Sequence, residues 1–240
     1  MFDTILTVIE IIGVVSFSIS GTVVSIDKEM DLFGVIFLAI MTSFGGGVIR
    51  DLIIGRTPLF FTSLGFYVLI GLATSVLVFT FASVFKKWYV ERESLIMQVN
   101  NYIDALGIGA FSVTSVKMCI DVCPEKGAFL AIMMGMTASI GGGMIRDICL
   151  RDIPFVFRKH IYALAAIAGS VLYYLLMMHV FDGGIAGEII SSIIAIATVF
   201  AIRVCATKFK WNMPKAIEFS KMHGCISDTS EDENKEEAVR

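Results

Sequence analysis

The phrase Ser43-Phe44-Gly45-Gly46-Gly47-Val48-Ile49-Arg50-Asp51 returns as Ser139-Ile140-Gly141-Gly142-Gly143-Met144-Ile145-Arg146-Asp147. Each copy closes an apolar run long enough to cross a bilayer. Pro58 and Phe60-Phe61 follow the first copy, Pro154 and Phe157 the second. Glycine weakens a helix by about 1 kcal/mol relative to alanine, so three in succession predict a helix that bends, narrows or breaks. Backbone freed at membrane depth is tolerated only where protein buries it or where it lines a wet cavity. An Arg-Asp pair three residues on is costly in lipid and needs partners or water. Bent backbone beside intramembrane charge, present twice, predicts a permeation or binding site. The competing reading is that each phrase is only a loop-forming turn.

Composition agrees with a membrane chain. Of 240 residues, 56% are hydrophobic and 17% charged, whereas soluble domains lie near 45–50% apolar. The net charge of -3 and the lack of a basic stripe with interleaved aromatics give no reason to expect nucleic acid. Five cysteines form no C-x-x-C pair and no ligand-spaced cluster with the three histidines, so they read as small apolar fillers. No metal or cofactor is expected. Asp3 rather than a basic flank opens the chain, unlike a cleaved signal peptide.

Seven apolar runs emerge, at roughly 4–26, 32–54, 59–85, 99–121, 127–150, 160–181 and 185–206. The predicted fold class is therefore all-α integral membrane, with one seven-helix domain over 1–206. A tail at 207–240 follows, basic and aromatic near Trp211 and acidic from Ser227, its distal part expected to be disordered. Lys28, Lys86, Lys87, Arg92, Arg151, Arg158 and Lys159 share one side with that tail, so the positive-inside rule predicts the N-terminus outside and the C-terminus cytoplasmic, in a plasma (inner) membrane.

The repetition extends beyond the glycines. Glu10, Gly13, Phe17 and Ser18 match Asp104, Gly107, Phe111 and Ser112, and Tyr67, Ala73 and Ser75 match Tyr162, Ala168 and Ser170. Two three-span units result, at about 5–85 and 99–181, with a seventh helix appended at about 185–206. An odd number of spans per unit forces the second copy upside down, an inverted repeat. Arg50 then lies near the outer end of its span and Arg146 near the inner end. Two buried ion pairs are predicted, Glu10 with Arg50 and Asp104 with Arg146. Asp51 and Asp147 adjoin the arginines, and helix neighbours at i,i+1 do not face each other, so these two are expected to face a permeant cation or cap a neighbouring helix. Ser18, Ser112, Ser43 and Ser139 either line a path or serve close helix packing. Lys117 either snorkels to the outer interface or gates a conduit, and Glu188 is expected at the interface.

Two Gly-Gly-Gly-x-x-Arg-Asp motifs, each followed by Pro, in a three-plus-three-plus-one array resemble the bacterial branch of the trimeric intracellular cation (TRIC-type) channels, whose superfamily also includes glycine transporters. The likeness covers about residues 5–206. It implies a homotrimer with an hourglass path in each subunit, bent at Gly45, Gly46, Gly47, Gly141, Gly142 and Gly143. Glu10 stands where Asp is usual, and Ser115 opposite Gly21 where a second Gly is common. The expected function is passage of a small monovalent cation, K⁺ first, with a carrier for glycine or a similar small zwitterion as the alternative. An enzyme is disfavoured, because H-E-x-x-H and G-x-S-x-G are absent and no histidine sits mid-span opposite a nucleophile. A retinal protein is disfavoured because span seven lacks a lysine for a Schiff base.

Overall fold

The computed structural model describes residues 4–58, 61, 65–158, 161–181 and 184–211. Seven of its helices are long and apolar enough to span a bilayer: α1 (Thr4–Asp27), α2 (Leu32–Ile53), α3 (Phe66–Val84), α4 (Glu93–Val122), α5 (Gly127–Cys149), α6 (Ile161–His179) and α7 (Ile185–Lys208). Among the described residues the remaining elements are short: Lys86–Glu91, a 3₁₀ turn at Pro124–Lys126, and Phe155–Arg158. The distal tail and part of the stretch before α3, including Phe60, fall outside the described residues.

Local chemistry sets the helix ends. Asp31 caps α2 by accepting from the Gly34 amide at 2.8 Å. Gly65, at φ 75°, turns the chain into α3 later than the apolar run suggests, since that run begins near residue 59. In the opposite direction α4 begins at Glu93, several residues before its apolar stretch. Its polar first turns sit beside Trp88 and Arg92, where Arg92 lies 5.6 Å from the Trp88 ring centroid. Nearby Tyr89, outside the spans, has its phenol pushed up to about 12 by burial and by the charges of Asp27 and Glu93.

Packing follows the repeat. α1 lies against α4 and α2 against α5, which are the pairs that a two-fold operation would exchange. α3 packs on α1 and α2, and α6 packs correspondingly on α4 and α5. The matched rings Phe17 and Phe111 stack on each other with centroids 5.3 Å apart and planes 12° apart. The matched glycines make room for them: a methyl on Gly13 would sit 2.9 Å from Phe111, and one on Gly107 2.7 Å from Phe17. An element stacked on its own repeat equivalent marks the pseudo-two-fold. α7 has no counterpart and covers α6 and α4. Large apolar side chains face outward, among them the matched Phe33 and Phe129 at 77% and 78% exposed, as lipid-facing residues should.

Candidate functional site

Both glycine triplets lie inside continuous helix, so neither helix breaks there as one of the expectations had it. The reason is that each triplet is pressed against the other. A methyl on Gly46 would run into the Ala138 carbonyl, and one on Gly142 into the Thr42 carbonyl. Gly141 approaches so closely that its methyl would lie 3.1 Å from the Gly46 Cα. The missing side chains let two backbones touch where α2 crosses α5, and that contact offsets the helix propensity the glycines give up. Gly45 meets Ile145, and Gly143 meets the Tyr162 hydroxyl, 2.7 Å from where its methyl would be. Gly47 alone of the six faces open space, with only the Arg50 guanidinium nearby at 3.9 Å.

One turn beyond the crossing, each motif arginine is buried at 0–1% exposure. Arg50 Nη1 lies 3.5 Å from Glu10 Oε1, and Arg146 Nη1 lies 3.3 Å from Asp104 Oδ1, the two juxtapositions read from topology. Each arginine also reaches into the other repeat, Arg50 Nη1 donating to Ser115 Oγ at 3.3 Å and Arg146 Nη1 to Ser20 Oγ at 2.6 Å. Ser20 in turn donates to Asp104 at 3.0 Å. The adjacent aspartates depart from expectation. Arg50 Nε donates to Asp51 at 2.8 Å and Arg146 Nε to Asp147 at 2.9 Å, although i,i+1 neighbours diverge on a helix. The guanidinium hangs on a long flexible stem that can swing toward a short neighbouring carboxylate, and a charge-assisted hydrogen bond holds it there. Asp147 also does what was expected of it as a cap, accepting from the Phe155 amide at 2.9 Å.

The hydroxyls divide. Ser43 donates to Val14 and Ala39 carbonyls at 3.2 and 2.8 Å and borders a cavity. Ser139 donates to the Met136 carbonyl at 2.9 Å, and Ser18 to the Gly71 carbonyl at 2.7 Å, so Ser18 holds α1 to α3. Ser112 is fully buried. Neither Ser18 nor Ser112 borders that cavity. Lys117 is paired with Asp121 at 2.7 Å. Glu188 is 4% exposed, buried in protein rather than interfacial.

The cavity lies in the first repeat, walled by Glu10, Ser43, Gly47, Arg50, Asp51 and Tyr67, with Phe111 of the central stack at its edge. It has about 30 Å³ of room for water centres, enough for about two molecules. In the second repeat, Tyr162 occupies the place of Tyr67 and carries the Arg203 guanidinium 4.6 Å above its ring. The sequence reading missed Tyr67, Tyr162 and Arg203 as site residues. An arginine within the apolar run of span seven, and tyrosines at matched positions of the two units, were the available signals.

Inverted three-helix units, a glycine crossing between them and buried charge at each end define a membrane transport protein. The chain belongs to the family described as Glycine transporter, whose model matches twice, at residues 7–83 and 101–178, once in each unit. It is 29% identical over 198 residues to the UPF0126 inner membrane protein YadS of Escherichia coli (strain K12), covering 80% of this chain and 90% of that one. Its fold is similar to the crystal structure of a prokaryotic TRIC channel in 0.5 M KCl, with TM-score 0.75, 28% identity, and coverage of 89% of this chain and all (100%) of that one. The TRIC trimeric intracellular cation channel orthologue from Rhodobacter sphaeroides gives TM-score 0.74 at 29% identity, over 87% of this chain and 100% of that one. The family and these structures are of transporters and channels, not enzymes.

Proposed function

We propose that each subunit conducts a small monovalent cation, K⁺ first, along the seam between the two repeats, within a homotrimer of the inner membrane whose N-terminus faces outside. The observation that carries this reading is the pair of half-sites, each a buried guanidinium with two carboxylates, placed on either side of the glycine crossing. Charged groups held at membrane depth are expensive, and those that are kept commonly mark an ion or substrate path. Two carboxylates against one guanidinium leave a formal excess of negative charge in each triad, which favours cations. Asp51 and Asp147 supply that excess, and Gly47 and Ser43 line the hollow half. The Gly46–Gly142 contact and the Phe17–Phe111 stack close the seam here, so conduction requires α2 and α5 to separate at their crossing. Likeness to the two TRIC channels supports the cation.

The family's description favours a second reading, a carrier of glycine or another small zwitterion. Purified protein in planar bilayers separates the two. Unitary K⁺ currents support the channel, and glycine counterflow without current supports the carrier and overturns it.

A further inference from the structure

The seventh helix breaks the molecule's symmetry, and it brings one charge with it. Arg203 of α7 is 2% exposed. Its guanidinium stacks on Tyr162 at 4.6 Å, within the range where a cation is drawn to a ring face. Its Nη2 donates to Asn101 Oδ1 at 3.4 Å, a long bond, and its Nε has no hydrogen-bond partner. Among the described residues no carboxylate lies within ion-pair distance of it. A buried cation so poorly compensated is costly, and its field reaches its neighbours with little screening.

Those neighbours are the second half-site. Tyr162 carries the Arg203 guanidinium over its ring, lies near enough to Asp104 and Arg146 to interact with both, and has its hydroxyl against Gly143 of the triplet. Among the described residues no second guanidinium stacks on the matching tyrosine of the first half-site: Tyr67 borders a cavity with Glu10, Arg50 and Asp51. Counting formal charges, Glu10, Arg50 and Asp51 amount to one negative charge, whereas Asp104, Arg146, Asp147 and Arg203 cancel.

We propose that Arg203 makes the two ends of the pathway electrically unlike and so sets the direction in which cations pass more easily. Cations enter readily at the net-negative Glu10–Arg50 end and meet no such attraction at the charge-neutral Asp104–Arg146 end. Arg203 acts through Tyr162 and is a positioning and selectivity residue rather than a ligand. The inference rests on the cation-channel reading above.

The test is single-channel recording of the full chain in symmetric KCl, comparing wild type with R203Q, R203K and N101D. Wild type is expected to rectify by about fivefold or more, the effect that one unit charge about 4 Å away has even at the dielectric of bulk water. R203Q removes that rectification and R203K retains it. N101D places a carboxylate beside the guanidinium and removes rectification without deleting the arginine, which keeps the test alive if R203Q fails to fold. Symmetric wild-type currents, or an R203Q or N101D channel that still rectifies as wild type does, overturn the assignment and leave the channel reading standing. Wild type without K⁺ current overturns both.

Discussion

The two repeats carry the same motif in different surroundings. Around Arg146 the contacts are close: Asp104 and Ser20 lie 3.3 and 2.6 Å from Nη1, Asp147 lies 2.9 Å from Nε and 2.8 Å from Nη2, and Phe155 lies 5.4 Å from the guanidinium. Around Arg50, Asp51 is as close at 2.8 Å, but Glu10 at 3.5 Å and Ser115 at 3.3 Å stand farther off, and a cavity opens beside them. One copy of the motif is packed as an anchor and the other left with room for water. Identical residue types therefore do not imply identical duties, because the neighbours supplied by the other repeat and by α7 decide how tightly each arginine is held.

The largest effect is expected where the copies remain alike, at the crossing. G46A and G142A each drive a methyl into a facing carbonyl carbon-and-oxygen pair that cannot move without parting α2 from α5. Each should cost at least the upper end of the about 1–3 kcal/mol typical of overpacking. Size-exclusion profiles and thermal melts in detergent are expected to show lost or strongly destabilised protein. G47A, whose methyl meets only open space, should melt at or above the wild-type temperature, because alanine is the better helix former by about 1 kcal/mol. Equal damage from G47A and G46A would mean that the triplets are not used for backbone contact.

Next in size comes the contrast between the arginines. R146M strands Asp104 and Asp147 in a packed site, and leaving buried charge uncompensated costs about 3–5 kcal/mol. R50M should cost less, since water entering the adjoining cavity can solvate Glu10. Chemical-denaturant or SDS titrations of the two variants give the ranking directly. A larger loss in R50M than in R146M would reverse which half is the anchor.

Much of this arrangement was legible before any coordinates. Span number, inversion and the Glu10–Arg50 and Asp104–Arg146 juxtapositions follow from where polar residues recur along apolar runs, because topology fixes their depth. Glycine chemistry was legible only halfway. Gly-Gly-Gly announces that something approaches closely or bends, but whether the helix breaks depends on what it meets, and Ala138 and Thr42 lie on the facing helices. The Arg50–Asp51 contact was not foreseen because helical-wheel spacing describes Cβ directions, not where a long guanidinium stem can swing. Arg203 escaped because the repeat drew the reading toward matched positions, and α7 has no match.

The smallest effect concerns how each motif helix stops. Both end in the same turn: Arg56 N–H bonds the Asp51 carbonyl and Gly55 N–H that of Leu52, just as Asp152 bonds Asp147 and Arg151 bonds Ile148. The residue that turns the chain is left-handed in each, at φ 77° for Gly55 and 55° for Arg151. Glycine adopts that conformation freely, whereas a residue with a Cβ is disfavoured there by about 1 kcal/mol or somewhat more. Arg151 is exposed and holds no ion pair among the described residues, so its side chain offers little to lose. R151G should therefore raise stability, by less than about 1 kcal/mol once the freer unfolded chain is counted against it. G55A should lower stability by about as much as the left-handed strain it introduces. Parallel thermal melts decide the matter: if R151G melts below wild type while G55A is neutral, the left-handed turn is not what distinguishes the two helix ends.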